Sequence, residues 1–260
     1  MISRISQASI VQGFTKSRSI LDGNTKYGPY WLALWNLANI DNFNGLGVET
    51  DSSGNPVVYA YYTTTELLIS ATPTFANTNY AKTLTVVPSS ATDGAMCKDT
   101  SGNYYTVRSL YSGNYFGEIT KYDSSGVQQW TTRINTGTMS RLNDVAYNST
   151  DGYLYCVGAY NDGSYKQLIT RLTPSTGAVQ ASRSYRYTSG SDEFAMGLAI
   201  DSSGNVYTHG YSYGFSGSKY DLTINKWDTS FQLSWQKKIT PGTNQYPYAS
   251  HYPIIDNSGN

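Results

Sequence analysis

Asp201-Ser202-Ser203-Gly204-Asn205 reads as a tight turn, and it recurs along the chain at a nearly constant interval. It returns as Asp51-Ser52-Ser53-Gly54-Asn55, Asp99-Thr100-Ser101-Gly102-Asn103 and Asp256-Asn257-Ser258-Gly259-Asn260, with a degraded copy at Asn148-Ser149-Thr150-Asp151-Gly152. The glycines at 54, 102, 152, 204 and 259 are 48, 50, 52 and 55 residues apart. The Asp side chain can accept a backbone N–H, and glycine can take positive φ. Before the 201 turn, Ala195-Met196-Gly197-Leu198-Ala199-Ile200 is a short apolar run that suits a buried inner strand. After it come Val206 to Tyr211, then the alternating Leu222-Thr223-Ile224-Asn225-Lys226-Trp227, a second turn at Asp228 to Gln232, and Leu233 to Ile239. Four strands per unit and a period of about 50 residues point to propeller blades rather than helical solenoids.

The same order fits two further units. Glu118 to Asp123 leads through Ser124-Ser125-Gly126 to Val127-Gln128-Gln129-Trp130, and Leu168 to Leu172 leads through Ser175-Thr176-Gly177 to Ala178-Val179-Gln180. The second-turn glycines 126 and 177 are 51 apart, so two independent markers share one period. We therefore expect an all-β propeller with units near 45–92, 95–140, 143–190 and 195–240 and a partial unit at 249–260. Tyr30 to Trp35 resembles a third strand, and Tyr252 to Asn260 a first strand with its turn. Such ends could close a ring by sharing a blade, or further blades could follow Asn260.

Composition narrows the function classes. Lys+Arg 18 balance Asp+Glu 18, so the basic excess of a nucleic-acid binder is missing. Tyr 25 and Gly 24 are high and charged residues make up 14%, which suits turn-rich β-structure working on a neutral ligand or within an assembly. No apolar run reaches the ~18 residues of a membrane helix, and the start lacks the apolar core of a secretory signal. We expect no membrane insertion and synthesis in a cytoplasm. Cys97 and Cys156 each fall within a strand signal and are expected as free, packed thiols.

Residues 1–28 match no repeat. They carry Arg4, Lys16, Arg18 and Lys26 against Asp22, with Ile5, Ile10, Val11 and Phe14 among scattered apolar positions. Either this is a partly disordered leader or an extended arm that folds onto another subunit and covers those apolar residues.

The repeat Leu198-Ala199-Ile200-Asp201-Ser202-Ser203-Gly204-Asn205-Val206-Tyr207-Thr208-His209-Gly210 resembles the bacterial β-propeller repeat known as SBBP. Lys121-Tyr122-Asp123 through Trp130 matches the second half of that repeat. Lys226-Trp227-Asp228 through Trp235 matches it with Phe231 in place of the turn glycine, so we expect a reorganised turn there. This likeness spans residues 45–260 and implies a fold, since propellers host many functions. Arg4-Ile5-Ser6, Val11-Gln12-Gly13-Phe14-Thr15-Lys16-Ser17-Arg18-Ser19 and Leu21-Asp22-Gly23-Asn24 are similar to the starts of tail-fibre and other virion proteins of marine bacteriophages. That resemblance implies a virion-attachment segment, with Arg4, Ile5, Ile10, Val11, Phe14, Lys16 and Arg18 as docking residues.

Catalytic and metal chemistry find little support. Each Asp-x-Ser-Gly-Asn turn offers one carboxylate, whereas calcium takes six to eight oxygens. His209 and His251 lack companion ligands at useful spacing. Asp192-Glu193 are neighbours that point opposite ways in an extended chain, so we expect a loop surface and not a glycosidase pair. We expect no cofactor, no metal and no enzymatic activity.

Blade geometry gives one functional lead. The 1–2 and 3–4 turns share one end of the ring and are short and stereotyped. The 2–3 and 4–1 connections share the other end and are expected to be long, variable and aromatic, with Tyr111, Tyr115, Tyr160, Tyr165, Tyr187, Tyr213, Phe215, Tyr246 and Tyr248. Variable loops on a rigid scaffold carry function, and Tyr gives flat contact area plus a hydroxyl. These rings could equally pack over neighbouring blades. The expectation is a phage virion structural protein, a tail fibre or tail-associated protein. It would be homo-oligomeric in the virion, held by its arm to other tail subunits, and would present the Tyr-rich end to a subunit or to a host surface glycan or protein receptor. A bacterial cell-surface propeller scaffold or adhesin, and a glycan-degrading propeller enzyme, are the alternatives.

Overall fold

A computed structural model describes residues 44–62, 65–72, 78–86, 94–134, 139–187, 191–213 and 220–240. Four antiparallel sheets of four strands follow one another along the chain, each in simple up-and-down order. Blade one holds β1 (Asn44–Thr50), β2 (Pro56–Tyr62), β3 (Thr65–Ala71) and β4 (Thr78–Val86). Blade two holds β5 (Gly94–Lys98), β6 (Tyr104–Ser112), β7 (Asn114–Tyr122) and β8 (Gln128–Ile134). Blade three holds β9 (Met139–Asn148), β10 (Tyr153–Asn161), β11 (Tyr165–Leu172) and β12 (Val179–Tyr185), and blade four β13 (Asp192–Ile200), β14 (Val206–Tyr213), β15 (Tyr220–Trp227) and β16 (Leu233–Ile239). The first strands pack in succession, β1 on β5, β5 on β9 and β9 on β13. Among the described residues, successive fourth strands make no such extended contact. First strands therefore converge and fourth strands fan outward, which is the geometry of a β-propeller. The arm at 1–28, the strand signal at 30–35 and the partial unit at 249–260 lie outside the described residues.

The recurring turn owes its sequence to one carboxylate. Asp99 Oδ1 accepts the N–H groups of Ser101 and Asn103, each at 2.9 Å, while Oδ2 accepts Asn103 Nδ2 and the Tyr105 hydroxyl, each at 2.8 Å. Asp201 repeats the pattern with Ser203, Asn205 and Tyr207. The chain then reverses through Gly102 at φ +81° and Gly204 at φ +86°. The copy at 148 is one residue longer. There Asn148 takes the N–H of Thr150, and Asp151 takes the N–H of Tyr153 and the Tyr155 hydroxyl.

Blades are joined through their faces. Ile119, Val107 and Tyr105 of blade two pack against Leu142, Val145, Leu154 and Leu168 of blade three, and Tyr155, Val157 and Ile169 pack against Ala195, Leu198 and Val206 of blade four. Both cysteines are buried and neither forms a disulfide among the described residues, and burial pushes the Cys156 thiol well above its ordinary pKa. Between blades one and two lies a buried ionic cluster in which Arg108 pairs with both Glu66 and Glu118. Blade three also seats its 3–4 turn on the outer strand of blade two. Trp130 Nε1 donates to Pro174 O at 3.0 Å and Thr132 Oγ1 to Gly177 O at 2.8 Å. A Cβ on Gly177 would meet the Trp130 ring at 2.7 Å.

Blade four corrects one expectation. The turn around Phe231 is not reorganised: Phe231 N donates to Asp228 O and Asp228 N to Gln232 O, each at 2.9 Å, as in the glycine turn at Asp123. Phe231 instead adopts φ 60° itself. The strain of a left-handed residue, about 1–2 kcal/mol, is offset by burying the ring, worth about 1.5–3 kcal/mol. That ring is 1% exposed. It meets Tyr155 edge-on at 5.7 Å and lies under the Arg171 guanidinium at 5.2 Å. Phe231→Gly should therefore relieve strain yet still destabilise the protein, by about 1–3 kcal/mol in urea denaturation, because losing a buried ring costs more than the backbone recovers. A stabilised variant would show that the strain dominates.

The Asp turns also set an acid limit. Burial alone would raise the carboxyl of Asp99, but the Asn103 side chain, the Tyr105 hydroxyl and two backbone N–H groups outweigh it and hold its pKa below the ordinary value. Asp201 is lowered against burial in the same way. A lowered folded pKa contributes stability that is full above the unfolded value, about 3.9, and is lost as pH falls through the folded one. Melting temperature should therefore fall below about pH 4, and Asp99→Asn should flatten that acid limb. An unchanged limb in Asp99→Asn would remove this carboxylate from the account.

Candidate functional site

The 2–3 and 4–1 ends of the blades carry a row of aromatic rings. Tyr111 and Tyr115 pair across the β6–β7 hairpin with centroids 4.9 Å apart. The Arg141 guanidinium, at the start of β9, lies 3.9 Å from the Tyr115 ring centroid and 5.9 Å from that of Tyr165 at the start of β11. Tyr165 meets Phe194 at 4.6 Å, and Phe194 stacks on Tyr211 at 5.0 Å with planes 29° apart. Tyr211 meets Tyr220 at 5.5 Å, and Tyr220 meets Tyr213 at 4.7 Å. The contacts run unbroken from blade two through blade three to blade four.

Sequence reasoning reached part of this row. Tyr111, Tyr115, Tyr165 and Tyr213 belong to it, with Tyr111 42% and Tyr213 37% exposed. Tyr160 stands beside it with Lys166 5.8 Å from its ring. Tyr187, 42% exposed, lies in the connection to blade four with Lys238 5.5 Å from its ring. Phe215, Tyr246 and Tyr248 lie outside the described residues, as do the proposed docking residues Arg4, Ile5, Ile10, Val11, Phe14, Lys16 and Arg18. Arg141, Phe194, Tyr211 and Tyr220 were missed. Tyr211 sits inside a strand signal and Phe194 and Tyr220 just before two others, and only cross-strand register reveals that they share a face.

The loops differ from expectation. Gly113 alone links β6 to β7, and Asp162-Gly163-Ser164 link β10 to β11. Tyr111, Tyr115, Tyr160, Tyr165 and Tyr213 are strand residues rather than loop residues. Tyr favours strands, and aromatic pairs across a hairpin stabilise it, so the rings extend the sheet toward its tip.

The acidic pair Asp192-Glu193 is also corrected. Both residues lie in β13 and not on a loop surface. Their side chains do diverge in surroundings: Glu193 is fully buried, while Asp192 is half-buried and accepts the N–H of Tyr165 at 2.9 Å. Glu193 accepts the Tyr187 N–H at 2.8 Å, the Ser191 hydroxyl at 3.0 Å and Gln167 Nε2 at 3.1 Å. Gln167 in turn bonds Thr223 Oγ1 and the Tyr185 hydroxyl. Burial pushes the Tyr185 hydroxyl well above its ordinary pKa, so it stays a donor. This polar cluster ties the chain at Tyr187 to the blade three–four seam and gives the aromatic row a rigid support. His209 lies in β14, and His251 lies outside the described residues. Among the described residues no three His, Cys, Asp or Glu converge as metal ligands, and no helix is long and apolar enough to cross a membrane.

No protein-family model and no curated protein sequence matches the chain. Solved structures do. The chain is similar to a protein of unknown function from Bacteroides caccae, with 14% identity, TM-score 0.53 and coverage of 79% of this chain and 70% of that one. It is also similar to a protein of unknown function from Dyadobacter fermentans, with 8% identity, TM-score 0.58 and coverage of 80% and 69%. At these identities the likeness concerns the fold.

The row should behave as a coupled unit. A double-mutant cycle on Phe194→Ala and Tyr211→Ala should give a coupling of about 0.5–1.5 kcal/mol in denaturation. Simple additivity would mean the rings touch without cooperating.

Proposed function

We propose that this protein is a non-enzymatic recognition propeller of a bacteriophage tail, held to the virion by residues 1–28 and presenting its aromatic end to a host surface receptor or a neighbouring tail subunit. The observation that carries the recognition role is the continuous ring row across three blades, partly exposed and backed by a buried polar cluster. Aromatic side chains supply contact area at low entropic cost, and a stiff sheet edge holds them without ordering a loop on binding. The tail assignment draws on the resemblance of residues 4–24 to virion-protein starts, with Arg4, Lys16 and Arg18 as polar and Ile5, Ile10, Val11 and Phe14 as apolar docking groups.

Two variants separate the roles. Deleting residues 1–28 should abolish incorporation into particles while the propeller keeps its melting transition. Tyr111→Ala combined with Tyr213→Ala should leave incorporation intact and lower adsorption to host cells at least tenfold. Mass spectrometry of purified particles reads the first outcome and an adsorption assay the second. Normal incorporation of the truncated chain, or detection of the protein in the cell envelope and not in particles, would overturn the tail assignment.

A further inference from the structure

Arg141 stands within the aromatic row, beside the Tyr115 and Tyr165 rings. Arg108 pairs with Glu66 and Glu118, Arg133 with Glu118, Lys166 with Asp162 and Lys238 with Asp221. Arg186 donates to Ser164, while Arg171 and Arg183 lie over the Phe231 ring. Like Arg171 and Arg183, Arg141 pairs with no acid among the described residues, and its Nε, like those of Arg171 and Arg186, is buried with no hydrogen-bond partner. Its position is tightly held. The Arg141 backbone packs on Gly158, where a Cβ would meet Arg141 O at 1.8 Å, and the next residue, Leu142, exchanges hydrogen bonds with the Ser109 hydroxyl at 3.0 and 3.1 Å. The guanidinium rests on the Tyr115 face at 3.9 Å, and the residue remains partly open to solvent. A buried or half-buried charge without a counter-ion is costly, and a ring face compensates it only in part.

We propose that Arg141 is the anion-recognising centre of the aromatic row and that its ligand is an acidic saccharide, a uronic-acid chain whose carboxylate pairs with the guanidinium edge. This assignment rests on the recognition role given above and names the ligand class. A guanidinium braced by an aromatic face keeps its N–H edge for a planar acceptor, and a carboxylate matches that fork bidentately. Tyr111 and Tyr115 on one side and Tyr165, Phe194 and Tyr211 on the other give aromatic surface for sugar rings, and the tyrosines add hydroxyls for their polar edges. Their spread over three blades suits an extended chain rather than a single small molecule. The nearby acids are engaged: Asp192 accepts the Tyr165 N–H and Asp162 pairs with Lys166. With zero net charge on the chain, attraction to an acidic polymer is local to this arginine and should weaken with added salt.

The test is calorimetric titration of the full chain with an oligogalacturonate and with its fully methyl-esterified counterpart, which keeps the sugar and removes the charge. The acid form should bind at least tenfold tighter than the ester. Arg141→Gln should abolish that preference and Arg141→Lys should retain only part of it, since an ammonium lacks the planar fork. Equal binding of acid and ester, or full preference in a folded Arg141→Gln variant, overturns the ligand class while leaving the recognition role to the adsorption assay. Failure of both saccharides to bind also overturns it. Should Arg141→Gln fail to fold, the acid-to-ester ratio of the wild-type chain decides alone.

Discussion

Each blade is a thin sheet with two faces, and neither can be left in water; the contact that resolves this is the seating of one blade's 3–4 turn on the blade before it. Gly177 lies on Trp130 and Phe231 on Tyr155, so that the tip of one sheet closes over the aromatic face of its neighbour. Apolar strand faces fill the space behind these contacts. The two turns, the one at Gly177 a residue longer than the one at Phe231, seat by opposite means. At Gly177 the missing side chain lets the backbone approach an indole. At Phe231 a strained residue is held because its ring is buried. A repeat of this kind tolerates sequence change where a lost contact is replaced by another of similar size.

Seating the turns has a consequence at the opposite end of the blades. Once the blades are stacked with first strands inward, the sheet tips of blades two, three and four come side by side, and the rings they carry become neighbours. Tyr165 and Phe194 belong to different blades, yet meet at 4.6 Å. Arg141 reaches the Tyr115 ring across the seam between blades two and three. The aromatic row is thus a product of blade stacking rather than of any one loop. The buried cluster around Glu193 and Gln167 sits under the same seam and fixes where the chain enters blade four.

Much of the scaffold was legible from local chemistry. An Asp that must accept two backbone N–H groups, a Gly that must take positive φ and an Asn that must close the turn leave a written pattern, because each depends on residues within a few positions. The alternation in β15 was equally readable, since one face of a strand packs inward. The hairpin lengths were not. Whether Tyr111 and Tyr115 sit in a loop or on strand ends depends on a pairing across Gly113 that spacing alone does not decide. Glu193 was misplaced on a surface because its three donors come from Tyr187, Ser191 and Gln167, brought together by two blades.

The sequence by itself determined the repeat, its four-strand grammar and the aromatic richness of one end, because turns and strand periodicity are local and speak through neighbouring residues. Tertiary structure alone decided which rings touch, that Arg141 stands among them without an acid, and that Phe231 keeps a glycine's conformation. Those outcomes depend on contacts between residues tens of positions apart, where the energy of stacking two blades outweighs any preference carried by the residue itself.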